Sequence, residues 1–516
     1  MQDKNTEEEG YPENRLRQAV LLLMEKGYQV DTNAFEALRS GSTKADPVEI
    51  VDRVCEIIQG LVEPVLFITD KMVDRAIDSF SSLEAEASKD ETSKVTFKPY
   101  AKEIEPELRV IEDSSANLGS VGDIECFLEY FQDRFNRIAR LLRQRLDVKD
   151  ATSISVALES PHEIVIKTIG IVTEKRETSK AIIIKIEDLD ASATIIVHSG
   201  SPRELHQKAQ SLLLDQVVCV AGRSSGNRTI VASDIIVPDI PERKVKGATD
   251  AVMLALTSDL HIGSSTFLGS VFNQFIRWLQ GKVGGEKERE LSSHIKYLTI
   301  AGDLVDGIGV YPDQERELEI SDIFKQYKRA GELIGEIPDY IEVIIIPGNH
   351  DAVRQALPQP KIPDEFMELL SAQRRLLSLG NPSTIETHGI RVLLFHGRSL
   401  EDVIRSVPGL SYHQPQKAME YLLKARHVAP TYGGSTSFAP EKQDHLIIES
   451  PPDIFHSGHI HVNGYETYRG TSIVNSGAWQ SQTDYQKKMG LMPTPGRVPI
   501  MNLQNMHMTE FDFSSI

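Results

Sequence analysis

The length, composition and charge of the chain restrict both its architecture and its partners. Its 516 residues are too many for one hydrophobic core, so several domains are expected. With 40% hydrophobic and 25% charged residues, the composition is that of a soluble globular protein, and no apolar run approaches the length of a membrane span. The polar, acidic start is unlike a signal peptide, so we expect a cytoplasmic protein. A net charge of -19 argues against solitary, tight binding of duplex DNA and suits a subunit of a complex.

The first quarter of the chain predicts a helical module followed by a linker. Apolar residues recur at helical spacing within residues 1–80, and Asp31 and Asp46 are candidate N-caps for two of the helices. Residues 81–123 are polar, acidic and poor in aromatic residues, which predicts a flexible acidic linker.

A single amphipathic helix is predicted at the start of the next segment, residues 124–160, where it runs from Ile124 to Leu146. Its aromatic face is expected to be a packing surface rather than a ligand site: Phe127, Tyr130, Phe131 and Phe135. It also carries a run of arginines, for which solvated charge is favoured over phosphate contacts: Arg134, Arg137, Arg140, Arg143 and Arg145.

Residues 161–245 predict a small all-β domain. Five short β-branched stretches occur there, and one helical stretch, PRELHQKAQSLLL, precedes the fourth. This pattern is typical of an OB-like barrel. OB folds often bind single strands through aromatic residues, but these strands contain almost none, so protein contacts remain an equal alternative.

Residues 246–516 predict an α/β domain. Near-continuous apolar strands alternate with helical stretches such as FNQFIRWLQ, which indicates sheets covered on both faces. In such sheets, ligands bind outside the carboxyl ends of the strands. The predicted fold is therefore multidomain, with an α/β sandwich preceded by an all-β OB-like domain and a small N-terminal helical module.

Side chains of metal-ligand type follow the apolar strands at five separate strand ends. In chain order the patterns are DxH, GD, GNHD, HG and GHxH, of which GNHD is the more specific. A lone GD is better explained by a capping aspartate, and any one of the histidines by a structural role. In extended backbone, Asp259 and His261 would point the same way. Their ordered occurrence at five strand ends makes coincidence very improbable. The predicted ligands are Asp259, His261, Asp303, Asn349, His396, His459 and His461.

The donor types indicate the kind of metal. Carboxylate, imidazole and amide oxygen suit divalent Mn, Fe, Zn or Mg, and the share of imidazole favours Mn or Zn over Mg alone. Cys55, Cys126 and Cys219 lie far apart in sequence and form no thiolate motif. We expect two divalent ions, with Mn²⁺ preferred, about 3.5–4 Å apart and placed to clamp a phosphate. His350 is placed to reach that phosphate, and Asp351 is expected to orient its imidazole.

The motif series resembles the calcineurin-like metallophosphoesterase superfamily. Within it, the segments GDLVDGIGVYP, YFQDRF and PGNHD, together with the domain order, are similar to the small subunits of archaeal family D DNA polymerases. The resemblance covers about residues 120–516, whereas residues 1–120 match only in general layout.

The resemblance implies a role for each site residue. Asp259, His261 and His461 would bind one ion, with Asp303 as a bridging ligand. The second ion would take Asn349, His396 and His459. His350 would act as the catalytic residue, donating a proton or stabilising the charged transition state. We interpret Asp306 as structural, and the strand parity of His456 leaves its placement ambiguous.

The resemblance also implies a function: a metal-dependent 3′–5′ exonuclease that proofreads for a DNA polymerase. The implied partners are a large catalytic polymerase subunit and single-stranded or mismatched DNA 3′ ends. Two alternatives stay open, a stand-alone phosphoesterase acting on small nucleotides or phosphoproteins and a non-catalytic structural subunit. For the C-terminal segment 501–516, a terminal strand or partner contact is favoured over a sliding-clamp peptide.

Overall fold

The computed structural model describes residues 11–25, 28–42, 46–59, 67–77, 97–116 and 118–515. The chain divides into two compact units, Met1–Thr96 and Phe97–Ile516. Among the described residues, no helix is long and apolar enough to cross a membrane.

The first unit is mainly helical, as its apolar spacing predicts. Asp31 is the N-cap of the second helix, where its carboxylate accepts a hydrogen bond from the backbone N–H of Ala34 at 2.7 Å. Asp46 stands before the third helix and accepts one from Val48 at 2.9 Å. Two short parallel strands complete the described elements: α1 (Tyr11–Glu25), β1 (Gln29–Val30), α2 (Thr32–Gly41), α3 (Pro47–Gln59), β2 (Phe67–Ile68) and α4 (70–77).

Part of the segment predicted as a flexible linker is a strand. Strand β3 (Leu108–Asp113) pairs antiparallel with β13 (Ser383–Thr387) at the edge of a large sheet. Most of its side chains are exposed, so backbone hydrogen bonds and the ion pair between Arg109 and Glu386 hold it in place. A strand without apolar alternation gives no periodic signal, which is why the linker prediction was wrong here. Residues 81–96 of the predicted linker lie outside the described part of the chain.

Helix α5 (Ile124–Arg143) ends close to the predicted boundary. Its aromatic face is a packing surface as expected, since Phe127 and Phe131 both lie edge-on to Tyr432. The prediction of solvated charge is wrong for Arg134. This side chain is fully buried, and its Nε donates to Asp444 at 2.7 Å.

A closed five-stranded barrel follows, with strand order β4-β5-β6-β8-β7. The number of strands and the helix before the fourth strand match the sequence pattern. Isoleucine and valine from all five strands fill its core. Its elements are α6 (Ile154–Glu159), β4 (Ile166–Glu177), β5 (Ala181–Glu187), β6 (Ser192–His198), α7 (Arg203–Gln210), β7 (Val217–Ser224) and β8 (Thr229–Ile236).

The remainder forms two six-stranded mixed sheets. Their orders are β12-β11-β10-β9-β18-β19 and β16-β17-β15-β14-β13-β3. Besides β3 and β13, their strands are β9 (Met253–Thr257), β10 (Ile295–Ala301), β11 (Glu342–Ile346), β12 (Leu377–Ser378), β14 (Ile390–Leu394), β15 (Ile454–Ser457), β16 (Gly464–Tyr468), β17 (Thr471–Asn475), β18 (Arg497–Asn502) and β19 (His507–Asp512).

The two sheets share one apolar core and carry helices on their outer faces. Side chains such as Leu254 and Ile344 of the first sheet join Val392 and Ile454 of the second in a single buried cluster. Separate clusters pack helices against each outer face. The α-helices of this part of the chain are α8 (Gly269–Leu279), α9 (Glu286–Ser293), α10 (Ile323–Gly335), α11 (Asp364–Leu370), α12 (Leu400–Ser406), α13 (Pro415–Ala425) and α14 (Asp484–Met489).

The C-terminal segment forms terminal strands, the alternative favoured by its sequence. Strands β18 and β19 form an antiparallel pair, and β18 continues the first sheet by pairing with β9.

Candidate metal centre

Parallel strands bring the predicted ligands to one edge of each sheet. Strands β9, β10 and β11 are mutually parallel, as are β14, β15 and β17, so each set has its carboxyl ends together. The predicted ligands all follow these ends: Asp259 and His261 after β9, Asp303 after β10, Asn349 after β11, His396 after β14, and His459 and His461 after β15.

One cluster joins both sheets. His261 Nε2 lies 3.1 Å from His461 Nε2, and His461 Nε2 lies 3.5 Å from Asp259 Oδ1. All three residues are buried, and each offers a ligand atom within 4.8 Å of the others. This is the trio expected to share one ion.

A second cluster lies beside it. His396 Nε2 is 3.1 Å from Asn349 Oδ1 and 3.3 Å from Asp303 Oδ2. His459 completes a group with Asp303 and His396 whose ligand atoms lie within 4.8 Å of one another. Asp303 Oδ2 is also 3.7 Å from His261 Nε2 of the first cluster. Its carboxylate therefore lies between the two clusters, as a bridging ligand must.

The backbone at these ligands is left-handed, not extended. Asp259 has φ of 53° and His261 has φ of 51°, so the expectation of two same-side residues in an extended strand is wrong. Asp303, His459 and His461 also have positive φ, at 51°, 71° and 60°. Non-glycine residues adopt this conformation at a cost of about 1–3 kcal/mol each, and such strain concentrates at functional sites.

Two glycines make room for the carboxylates. A Cβ on Gly348 would lie 2.2 Å from Asp303 Oδ1, and one on Gly458 would lie 2.4 Å from Asp259 Oδ2. Neither position can therefore carry a larger side chain without displacing a predicted ligand. These contacts explain the glycines of the GNHD and GHxH motifs.

Neighbouring groups occupy the other nitrogen of the key imidazoles. His261 Nδ1 lies 3.0 Å from Asp306 Oδ1, and His396 Nδ1 lies 2.8 Å from the Ala301 carbonyl oxygen. Donation from Nδ1 leaves the Nε2 lone pair directed at the cluster, which is the arrangement that metal-binding histidines show. The donor set and its orientation therefore fit divalent ions. Asp306 contacts a predicted ligand in this way, and the structural role that we inferred for it stays a prediction.

The electrostatics fit a cation as well. Burial opposes ionisation of Asp303, but His396 and His350 hold the pKa of its carboxyl well below the usual range. Burial disfavours the imidazolium of His396, yet the Asp303 carboxylate raises the pKa of His396 to about 9. Burial lowers the pKa of His261. A divalent ion would replace the proton on His396 as the partner of these carboxylates.

His350 lies at the site, but Asp351 does not orient it. His350 Nδ1 is 2.7 Å from the carbonyl oxygen of Asp306. Asp351 is buried elsewhere, where it accepts hydrogen bonds from the backbone N–H groups of Gly348 at 2.8 Å and Leu304 at 3.2 Å. The prediction for Asp351 was wrong because a turn carboxylate can bond several backbone donors at once, and sequence proximity does not reveal this.

Comparison with known proteins places the chain in a family. Residues 254–462 match the family model that describes the B subunits of DNA polymerases alpha and epsilon. A DNA polymerase II small subunit from Archaeoglobus fulgidus is 39% identical, covering 92% of this chain and 93% of the relative. The chain belongs to the DNA polymerase II small subunit family.

Further relatives agree with this assignment. The DNA polymerase II small subunit of Methanothermobacter thermautotrophicus is 37% identical over 94% of this chain and 98% of its own length. That of Methanocaldococcus jannaschii is 40% identical over 80% of this chain and 70% of its own. The segment matched by the family model contains all seven predicted ligands and His350.

In this DNA polymerase II small subunit family member, the clusters open into a cleft. The cavity has a volume of about 630 Å³ and its walls include His261, Asp303, Asn349 and His350. Tyr485 also lines it. The predicted ligands are therefore reached through this cavity.

Sequence reasoning missed two residues that contact the predicted ligands. Glu401 Oε1 lies 3.5 Å from His459 Nε2, and Gln486 Nε2 lies 2.9 Å from His461 Nδ1. Both come from short helices distant in sequence, so no local motif marks them. His456, left ambiguous from sequence, is buried and belongs to neither cluster, with Thr299 and Ser476 hydroxyls 3.0 Å from its two ring nitrogens.

Proposed function

We propose that this chain is the 3′–5′ exonuclease subunit of a DNA polymerase, working with a large catalytic subunit. One observation carries the proposal: seven donor side chains converge in two adjoining clusters that share Asp303. This arrangement occurs in a chain that belongs to a DNA polymerase small-subunit family. A purely structural subunit has no need of such an arrangement, which is strained at five positions.

Two divalent ions, when bound, would hold a phosphate between them and make a water nucleophilic at neutral pH. Asp259, His261 and His461 would hold one ion, and Asn349, His396 and His459 the other. Asp303 would contact both. Mn²⁺ is the preferred candidate, since the set mixes imidazole nitrogen with carboxylate and amide oxygen.

His350 is the proposed catalytic side chain that is not a ligand. Its Nδ1 donates to the Asp306 carbonyl, which leaves Nε2 for the cleft. A protonated His350 would donate from Nε2 to the leaving 3′ oxygen and offset the charge that develops there. Its placement does not depend on Asp351.

The five-stranded barrel is proposed to be an OB-like module that serves assembly. Its exposed positions carry few aromatic side chains, which argues against a stacking surface for single strands. The large subunit would supply most of the DNA-binding charge, consistent with the net charge of -19.

The test uses the complex with the large subunit and an end-labelled primer that has a mismatched 3′ end. With Mn²⁺ we expect stepwise release of mononucleotides, loss of release on chelation, and strong impairment by His350→Ala. The matched control is His507→Ala, which removes an exposed histidine on β19. Cleavage of small phosphoesters without any attack on DNA ends would favour a stand-alone phosphoesterase. Wild-type nuclease activity in both Asp303→Ala and His350→Ala would indicate a structural subunit or a contaminating nuclease.

A further inference from the structure

One wall of the cleft belongs to a short helix that is tied directly to the metal centre. Helix α14 begins with a capping box between Thr483 and Gln486. The Gln486 side chain also reaches His461, with its Nε2 2.9 Å from His461 Nδ1. The position of this helix is therefore coupled to that of a predicted ligand.

The same helix presents an aromatic ring and a cation to the cleft. The Tyr485 side chain lines the cavity and is 57% exposed, so its ring is accessible to a ligand there. Lys488, one turn further, lines the same cavity and is exposed. Among the described residues that line it, Lys488 and Arg398 are the only ones with a lysine or arginine side chain.

Three acidic side chains of the cleft have partners of their own. Asp484 pairs with Lys487 at 3.0 Å, and Glu317 accepts a hydrogen bond from the Tyr311 hydroxyl at 3.0 Å. Glu401 pairs with Arg405 at 2.8 Å as well as contacting His459. Lys488 forms no ion pair with any residue that the structure describes, so its charge is available to a phosphate.

We propose that Tyr485 and Lys488 form a subsite for one unpaired nucleotide of the DNA strand that enters the centre. The base would stack on the Tyr485 ring, and Lys488 would contact a phosphate of the same strand. A cavity of about 630 Å³ lies in the range that holds a small ligand, so it has room for one nucleotide. This inference rests on the proposed nuclease function and explains how unpaired ends would be selected.

The test compares single strands that carry an abasic site at one of the last three nucleotides. Each strand is given to the intact complex, with its dissociation constant measured in chelator and its KM measured with Mn²⁺. Tyr485→Ala should raise both values by roughly 5- to 150-fold, the effect of losing one stacked base. Tyr485→Phe should restore them. Tyr465→Ala, at a tyrosine 56% exposed outside the cleft, is the matched control and should change neither.

The abasic series identifies stacking itself. At one position, the abasic site should weaken binding by the wild-type complex as much as Tyr485→Ala weakens binding of the intact strand. On that abasic strand, Tyr485→Ala should cause no further loss of affinity. If Tyr485→Ala lowers the affinity equally for every strand, or lowers it for none, the proposed subsite is refuted. If the wild type shows Tyr485-dependent binding in chelator but releases no nucleotide with Mn²⁺, the subsite stands and the nuclease proposal fails.

Lys488 gives an independent check. Lys488→Ala should weaken binding of all the strands alike and reduce the slope of log affinity against log salt by about 0.7, the contribution of one phosphate contact to a single strand. An unchanged slope would remove Lys488 from the subsite.

Discussion

The buried ion pair between Arg134 and Asp444 should be essential for stability. Both side chains are fully inaccessible to solvent, and Asp444 also accepts hydrogen bonds from the Tyr130 hydroxyl at 2.8 Å and the Leu446 N–H at 3.0 Å. Burial opposes ionisation of Asp444, but its contacts with His427 and Arg134 hold its pKa well below the usual range. Asp444→Asn would therefore leave the Arg134 guanidinium buried without a counter-charge.

The expected loss follows from this geometry. Breaking a fully buried pair by removing one partner costs about 3–5 kcal/mol, whereas an exposed pair contributes about 0–1 kcal/mol. Asp150→Asn is the matched control, because Asp150 contacts Lys167 at 3.1 Å with a side chain that is 65% exposed. Urea unfolding of the full chain, followed by tryptophan fluorescence, measures both. A loss below about 1 kcal/mol in Asp444→Asn, equal to that in the control, would refute the reasoning.

Three further predictions concern pH, ligand support and sterics. Burial lowers the pKa of His427 to about 4 from an ordinary 6.5, so between these pH values the unfolded chain binds a proton that the folded chain does not. The free energy of unfolding should therefore fall as the pH drops from 6.5 to 4. A free energy of unfolding that stays constant over this range would contradict the prediction. Glu401→Ala should weaken Mn²⁺ binding at the His459 cluster by about 10- to 100-fold, measured by calorimetry, and Glu401→Gln should have an intermediate effect. An unchanged affinity for Mn²⁺ would exclude Glu401 as a supporting residue. Gly348→Ala should abolish nuclease activity by displacing Asp303, while the circular dichroism spectrum is retained. Gly200→Ala is the control, because a Cβ there meets nothing within 4 Å, and it should leave the nuclease activity unchanged.

Much of the α/β part was predictable because its strands are continuous apolar runs. Strands such as β10 and β11 are buried on both faces, so their sequences stand out and their polar ends mark the site. All the predicted ligands lie together for this reason. The barrel strands were visible through their β-branched residues.

Other features depend on contacts that local sequence does not encode. Strand β3 is held by backbone pairing and charge rather than by apolar side chains. The burial of Arg134 depends on Asp444, which is remote in sequence, and the support of His459 depends on Glu401. The backbone at Asp259 and His261, beyond the end of strand β9, is left-handed, whereas two-residue spacing alone suggested an extended strand.

The most direct test of the proposed function is the rate at which the complex carrying Asp303→Asn releases nucleotides from a mismatched primer end with Mn²⁺. Asp303 lies between both clusters, at 3.3 Å from His396 and 3.7 Å from His261, so neutralising it should disturb both ions at once. We predict that the wild-type complex degrades the strand from its 3′ end. In the Asp303→Asn complex, the rate of nucleotide release should fall by at least about 100-fold. Release at the wild-type rate by Asp303→Asn would contradict the assignment of this centre as the nuclease site.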